Sequence, residues 1–139
     1  MKQLAAGAAI VGAAALVALG SAPAQAEPVP VDPGIGAGEG HGVLFLEIER
    51  GDGTVEDQAL LCPGGFGHER GAEACSHLSA VHGDFTALAP TAVWCTFEYA
   101  PVTLRAQGFW EGRVVSWERE FANDCVGRSA TGGAVFDFA

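Results

Sequence analysis

The sequence predicts an α+β domain: an antiparallel β-sheet of about five strands with one main helix, a second short helix and two disulfides. Three observations carry that expectation. Short β-rich stretches follow one another, and no long helical crossover separates most of them. One segment, residues 69–82, has helical periodicity and a glycine just beyond it. Four cysteines, Cys62, Cys75, Cys95 and Cys125, make an even set.

The elements follow in chain order. Val43 to Glu49 (VLFLEIE) is β-rich, with Phe45 on the opposite face from Leu44 and Leu46. Gly51-Asp52-Gly53-Thr54 turns the chain, Asp57 to Leu61 returns as a strand, and Cys62-Pro63-Gly64-Gly65 stops it. Glu69 to His82 reads as an amphipathic helix ended by a left-handed Gly83, with Cys75, Leu78 and His82 on one face. Asp84 caps one short turn that reaches Leu88. Pro90 and Pro101 bracket an exposed segment, Thr91 to Ala100. Val102 to Ala106 is a strand turned by Gln107-Gly108, and Arg113 to Phe121 is the clearest strand, with Val115, Trp117 and Arg119 on one side. Val135 to Phe138 closes the chain as a last strand.

Composition narrows the function. The 139 residues include 17 acidic and 7 basic side chains, for a formal charge of −10, and 49% are apolar. That apolar content excludes a disordered chain. The acidic balance argues against nucleic acid, which needs clustered Lys and Arg. Lys2 is the only lysine; an apolar run from Leu4 to Leu19 follows, then Ala24-Gln25-Ala26. This is the layout of a secretory signal peptide, residues 1–26, cut after Ala26. The run is shorter than the roughly 20 residues a membrane-spanning helix needs, so no membrane association is expected. Residues 27–42, with glycine at 34, 36, 38, 40 and 42, read as a flexible Pro/Gly-rich arm. Residues 43–139 form the domain itself.

An exported domain with four cysteines is expected to hold two disulfides, and three pairings are open. The sequential pairing closes two loops that do not overlap, each worth roughly 3–4 kcal/mol in the chain-entropy model. No C-x-x-C pair occurs, so neither zinc nor any other cofactor is expected. His77 and His82 stand about 140° apart on a helix and cannot chelate one ion. With His41 and His68 they read as surface or half-buried imidazoles. Ser76, Ser79, Ser116 and Ser129 lack a G-x-S-x-G elbow. Glu47 and Glu49 share a strand face, as carboxylates on a solvated strand commonly do. Nothing assembles a catalytic site.

The informative stretch is Val93-Trp94-Cys95-Thr96-Phe97-Glu98-Tyr99-Ala100-Pro101. It sets three large rings on a proline-bounded loop tied down at a cysteine, which reads as a presented binding surface. Here the chain resembles the Streptomyces subtilisin inhibitor family of secreted serine-protease inhibitors. The resemblance rests on residues 95–101, on Gly108-Phe109-Trp110-Glu111-Gly112-Arg113-Val114-Val115-Ser116-Trp117-Glu118-Arg119, on Phe121-Ala122-Asn123-Asp124-Cys125, and on Ala134-Val135-Phe136-Asp137-Phe138. It implies the pairings Cys62–Cys75 and Cys95–Cys125, and a homodimer formed through sheet surfaces. It implies a scissile bond Phe97–Glu98, contacted by the protease through Trp94, Cys95, Thr96, Tyr99 and Ala100. Asn123 falls at the position of a side chain that supports the loop from behind, and Pro101 stiffens its end. Thr96 stands where some members carry proline.

The implied partner is an extracellular serine protease, subtilisin-like first and chymotrypsin-like second, because a phenyl ring suits an apolar primary pocket. Trypsin-like enzymes should be inhibited little, since their pocket carboxylate stays unpaired. The chain itself is then no enzyme. The competing expectation is a secreted interaction module without antiprotease action, or a transglutaminase substrate. Absence of lysine beyond Lys2 argues against an amine donor.

Overall fold

The computed structural model describes residues 39–138. The signal segment 1–26 and the arm up to residue 38 lie outside the described residues. Four strands form one antiparallel sheet: β1 (Gly42–Arg50), β2 (Val55–Cys62), β3 (Val102–Trp110) and β4 (Arg113–Phe121), in the order β2-β1-β3-β4. β1 begins at Gly42, one residue inside the segment read as an arm. Two helices, α1 (Gly71–Ala80) and α2 (Asp124–Ala130), and a short 3-10 helix (Phe85–Ala87) complete the domain. None of the described helices is long and apolar enough to cross a membrane.

Alternation builds the core. Leu44, Leu46 and Ile48 of β1 and Val102, Leu104, Ala106 and Trp110 of β3 point to one face, where Ala74, Leu78, Phe85, Val135 and Phe136 cover them. Phe45 points the other way and is exposed, as the alternation requires. The sulfurs pair as Cys62–Cys75 and Cys95–Cys125. The first bridge fastens the end of β2 to α1.

Three elements differ from expectation. Residues 135–138 are not a fifth strand. Gly132 and Gly133, at φ of 83° and 76°, reverse the chain after α2. Val135 then gives its carbonyl to His68 Nε2 at 3.0 Å, and Phe136 packs beside Phe85 and Trp117. The sheet therefore has four strands.

The β3–β4 reversal falls at Glu111-Gly112, with φ of 49° and 75°, rather than at Gln107-Gly108. Gly108 lies inside β3, paired with β1, and is glycine because a Cβ there would meet the Val43 carbonyl at 2.1 Å. Helix α1 is shorter than its periodic segment. His82 itself turns left-handed, at φ of 51°, and its N–H donates to Ser79 O while Gly83 N–H donates to Leu78 O. Cys75 and Leu78 are buried, whereas His82 lies beyond the helix and faces solvent.

Candidate functional site

Between the 3-10 helix and β3, residues 88–101 run without helix or strand. Such a stretch would ordinarily be loose. Here five residues outside it fasten it along its length. Thr91 N–H donates to Ser129 O at 2.9 Å, and Ser129 Oγ donates back to Thr91 O at 2.7 Å. Cys95 is bonded to Cys125 in the first turn of α2. The Asn123 amide Nδ2 donates to Thr96 O at 3.1 Å and to Glu98 O at 2.8 Å. Ala100 N–H donates to Ala122 O at 2.9 Å, and Pro101 O accepts from Gly51 N–H at 3.0 Å. Most of these anchors belong to α2 or to the corner by which β4 enters it.

Asn123 is 8% exposed and fully engaged. Its Oδ1 caps α2 by accepting from Val126 N–H at 2.9 Å, while its Nδ2 reaches the loop. A helix start and a loop support are thus one side chain. An open cleft of about 600 Å³ lies behind the segment, lined by Thr96, Glu98, Pro101, Asn123 and Arg50 among others.

The outer side of the segment is apolar and unprotected. Trp94 and Phe97 are fully exposed, at 102% and 106%, and Tyr99 is 75% exposed. Rings of this size left in water on a fastened segment make this ridge the candidate contact surface. Trp94, Cys95, Thr96, Phe97, Glu98, Tyr99, Ala100 and Pro101 form one continuous ridge with Asn123 beneath it. The Cys62–Cys75 bridge takes no part in it.

The other polar candidates serve the frame. Glu47 and Glu49 both receive Arg105 Nη1 at 2.6 Å, and Glu118 receives its Nε at 2.6 Å. Glu118, then Glu47 and Glu49, hold the Arg105 guanidinium even more firmly protonated than usual. His68 is buried, accepting Arg70 N–H at Nδ1. His82 sits 3.3 Å from Glu111, whose carboxyl is held below its ordinary range, first by Gly40 N–H and also by His82. Among the described residues no group of His, Cys, Asp and Glu could hold a metal ion.

Sequence reasoning missed α2, and with it Ser129 and Ala122 as anchors. The signal was present: Asn123-Asp124 begins the helix and Gly132-Gly133 ends it. Seven residues with Gly127 in their middle left too little periodicity to register. Gly127 is there for packing, since a Cβ would lie 3.0 Å from Leu104.

Comparison with known proteins gives the site its context. The family model "Subtilisin inhibitor-like" matches residues 42–123. Subtilisin inhibitor-like protein 2 of Streptomyces rochei is 47% identical over 103 residues, covering 68% of this chain and 90% of that one. A subtilase-type protease inhibitor of Streptomyces coelicolor is 50% identical over 72 residues, 51% of this chain and 49% of that one. The chain thus spans about half the length of that relative. Among solved structures, the crystal structure of Streptomyces caespitosus sermetstatin in complex with Bacillus licheniformis subtilisin matches with a TM-score of 0.54 and 26% identity. That match covers 70% of this chain and 98% of that one. A family model spanning the sheet and the whole anchored ridge, together with these relatives, makes the chain a member of the subtilisin inhibitor-like family.

Proposed function

We propose that this chain is a secreted inhibitor of subtilisin-like serine proteases, with chymotrypsin-like enzymes as second targets. Phe97–Glu98 is the bond it offers to the protease. One observation carries the reading. Asn123 holds the carbonyls of Thr96 and Glu98, the residues on either side of Phe97, while the Phe97 ring stands free in solvent.

A flexible peptide loses conformational entropy when a protease extends it. A segment already fixed by a disulfide and by main-chain hydrogen bonds has lost most of that freedom beforehand, so contact energy is expressed as affinity. The Phe97 ring enters the apolar primary pocket, and Trp94, Cys95, Thr96, Tyr99 and Ala100 flank it against the cleft. The protease supplies the nucleophile, the base and the oxyanion donors. If Phe97–Glu98 is cut, both new ends stay fastened. The acyl side is held through Cys95–Cys125 and Thr96 O, the amine side through Glu98 O and Ala100 N–H. The amine therefore waits beside the acyl-enzyme at high effective concentration, and re-forming the bond outruns hydrolysis.

Export through residues 1–26 and association into a homodimer complete the proposal. Supporting the dimer, the sheet face turned away from the core carries an apolar row across all four strands: Leu61, Val43, Phe109 and Val114. Phe45 stands beside that row, 62% exposed.

The test is a titration of subtilisin, chymotrypsin and trypsin with the exported protein. Stoichiometric loss of subtilisin activity, weaker loss for chymotrypsin and little for trypsin are expected. Phe97→Lys should move the preference toward trypsin with an unchanged thermal midpoint. Unaltered selectivity in that variant would mean that another surface binds the protease.

A further inference from the structure

Glu98 is the only charged side chain between Leu88 and Pro101. Its main chain is fixed by Asn123 at 2.8 Å, and its neighbour Ala100 is fixed by Ala122 at 2.9 Å. The side chain is exposed and forms no ion pair within the described residues. Many acids of the sheet and tail instead face an arginine. Glu47, Glu49 and Glu118 meet Arg105, Glu56 meets Arg50, and Asp137 meets Arg70 and Arg128. Arg50, the cation lining the cleft behind Glu98, is committed to Glu56 at 2.9 Å. Glu98 has no internal partner to fall back on when a second surface closes over it.

Resting on the reading of Phe97–Glu98 as the presented bond, we propose that Glu98 is a specificity-determining residue. It selects serine proteases that carry a lysine or arginine side chain in the subsite receiving the residue after the cut. A residue next to that bond lies within the bound interface, where water is largely expelled. A carboxylate taken there without a counter-charge loses its hydration and gains nothing in return, whereas a cation in that subsite converts it into a charge-assisted hydrogen bond. The surrounding ridge of Val93, Trp94, Phe97, Tyr99 and Pro101 is apolar and accepts many apolar clefts. Discrimination therefore falls to the single charge, which penalises neutral and acidic subsites and rewards basic ones. The chain's formal charge of −10 adds a long-range preference for basic protease rims, but that preference does not depend on residue 98.

The experiment uses two forms of one subtilisin that differ only by lysine or glutamate in the wall of that subsite. Inhibition constants are measured for wild-type inhibitor, Glu98→Gln and Glu98→Lys. The wild type should bind the lysine form about tenfold or more tighter than the glutamate form, Glu98→Gln should lose most of that ratio, and Glu98→Lys should invert it. A ratio that is the same for wild type and Glu98→Gln would overturn this inference while leaving the inhibitor reading intact. Failure of all three proteins to inhibit either enzyme would overturn both.

Discussion

The amide of Asn123 divides its two ends between two tasks: the oxygen starts α2 and the nitrogen spans the carbonyls either side of Phe97. Substitution can separate them. Asn123→Ala removes both and should cost about 2 kcal/mol of stability, the sum of a lost cap and lost buried hydrogen bonds. Asn123→Asp keeps an acceptor for Val126 N–H but turns a carboxylate toward two carbonyl oxygens. It should therefore retain more of the thermal midpoint than Asn123→Ala, yet be cut by subtilisin as readily. Mass spectrometry of the inhibitor after incubation with subtilisin measures the cut fraction. If Asn123→Asp stays as intact as wild type, the amide donors do not hold the loop. The loop-holding role was not visible as a hydrogen bond in the sequence, because the two carbonyls lie 27 and 25 residues away, whereas the cap is a local contact whose signal lay in Asn123-Asp124 itself. Only family resemblance pointed to the loop-holding role.

At the scale of elements, the C-terminal tail ties the two helices together. Asp137 receives Arg70, which precedes α1, at 2.5 Å and Arg128 of α2 at 2.6 Å. Arg70 first, and Arg128 also, hold its carboxyl below the ordinary carboxylate range. A carboxyl whose folded pKa lies below its unfolded value near 3.9 stabilises the fold fully above that value. The contribution fades as the pH falls through the folded one. Each pair is partly exposed, so it contributes at most about 1 kcal/mol. Asp137→Asn should lower the urea midpoint at pH 7 and flatten its decline below about pH 4. A wild-type acid limb of the same steepness in the variant would remove Asp137 as its source.

Elements with their own local pattern were the legible ones. β1 and β4 alternate clearly, and the Gly51–Thr54 turn and the Asp84 cap carry their own residue chemistry. What escaped was decided by distant contacts. Residues 135–138 look like a strand but are drawn under the sheet by Phe85, Trp117 and His68. The pairing of β3 with β1 places Gly108 opposite Leu44, close against the Val43 carbonyl, and carries the strand on to Trp110, so the turn falls at Glu111-Gly112. The exposed ridge was readable as a loop from its prolines and rings, and family resemblance pointed to Cys125 and Asn123 behind it, but the anchors at Ser129, Ala122 and Gly51 were not legible.

Across the whole molecule the outer sheet face is divided. One end carries Leu61, Val43, Phe109 and Val114 in register; the other carries Asp57, Glu47, Arg105 and Glu118. A second copy meeting the apolar end would bury it, and a stable pairing needs about 800 Å² per partner. The proposed dimer predicts that the wild type sediments as a dimer and Phe45→Glu as a monomer, with each chain still titrating one protease molecule. A dimeric Phe45→Glu would place the contact elsewhere. The ridge itself belongs to a different part of the fold, gripped through main-chain groups and one sulfur: the carbonyls of Thr96, Glu98 and Pro101, the N–H of Ala100, and Cys95. No side chain at 94, 97 or 99 takes part in that grip. The scaffold is consequently blind to what it displays: under the proposed function, those positions are expected to be rewritable one at a time, redirecting the molecule to new prey with no need to renegotiate the frame.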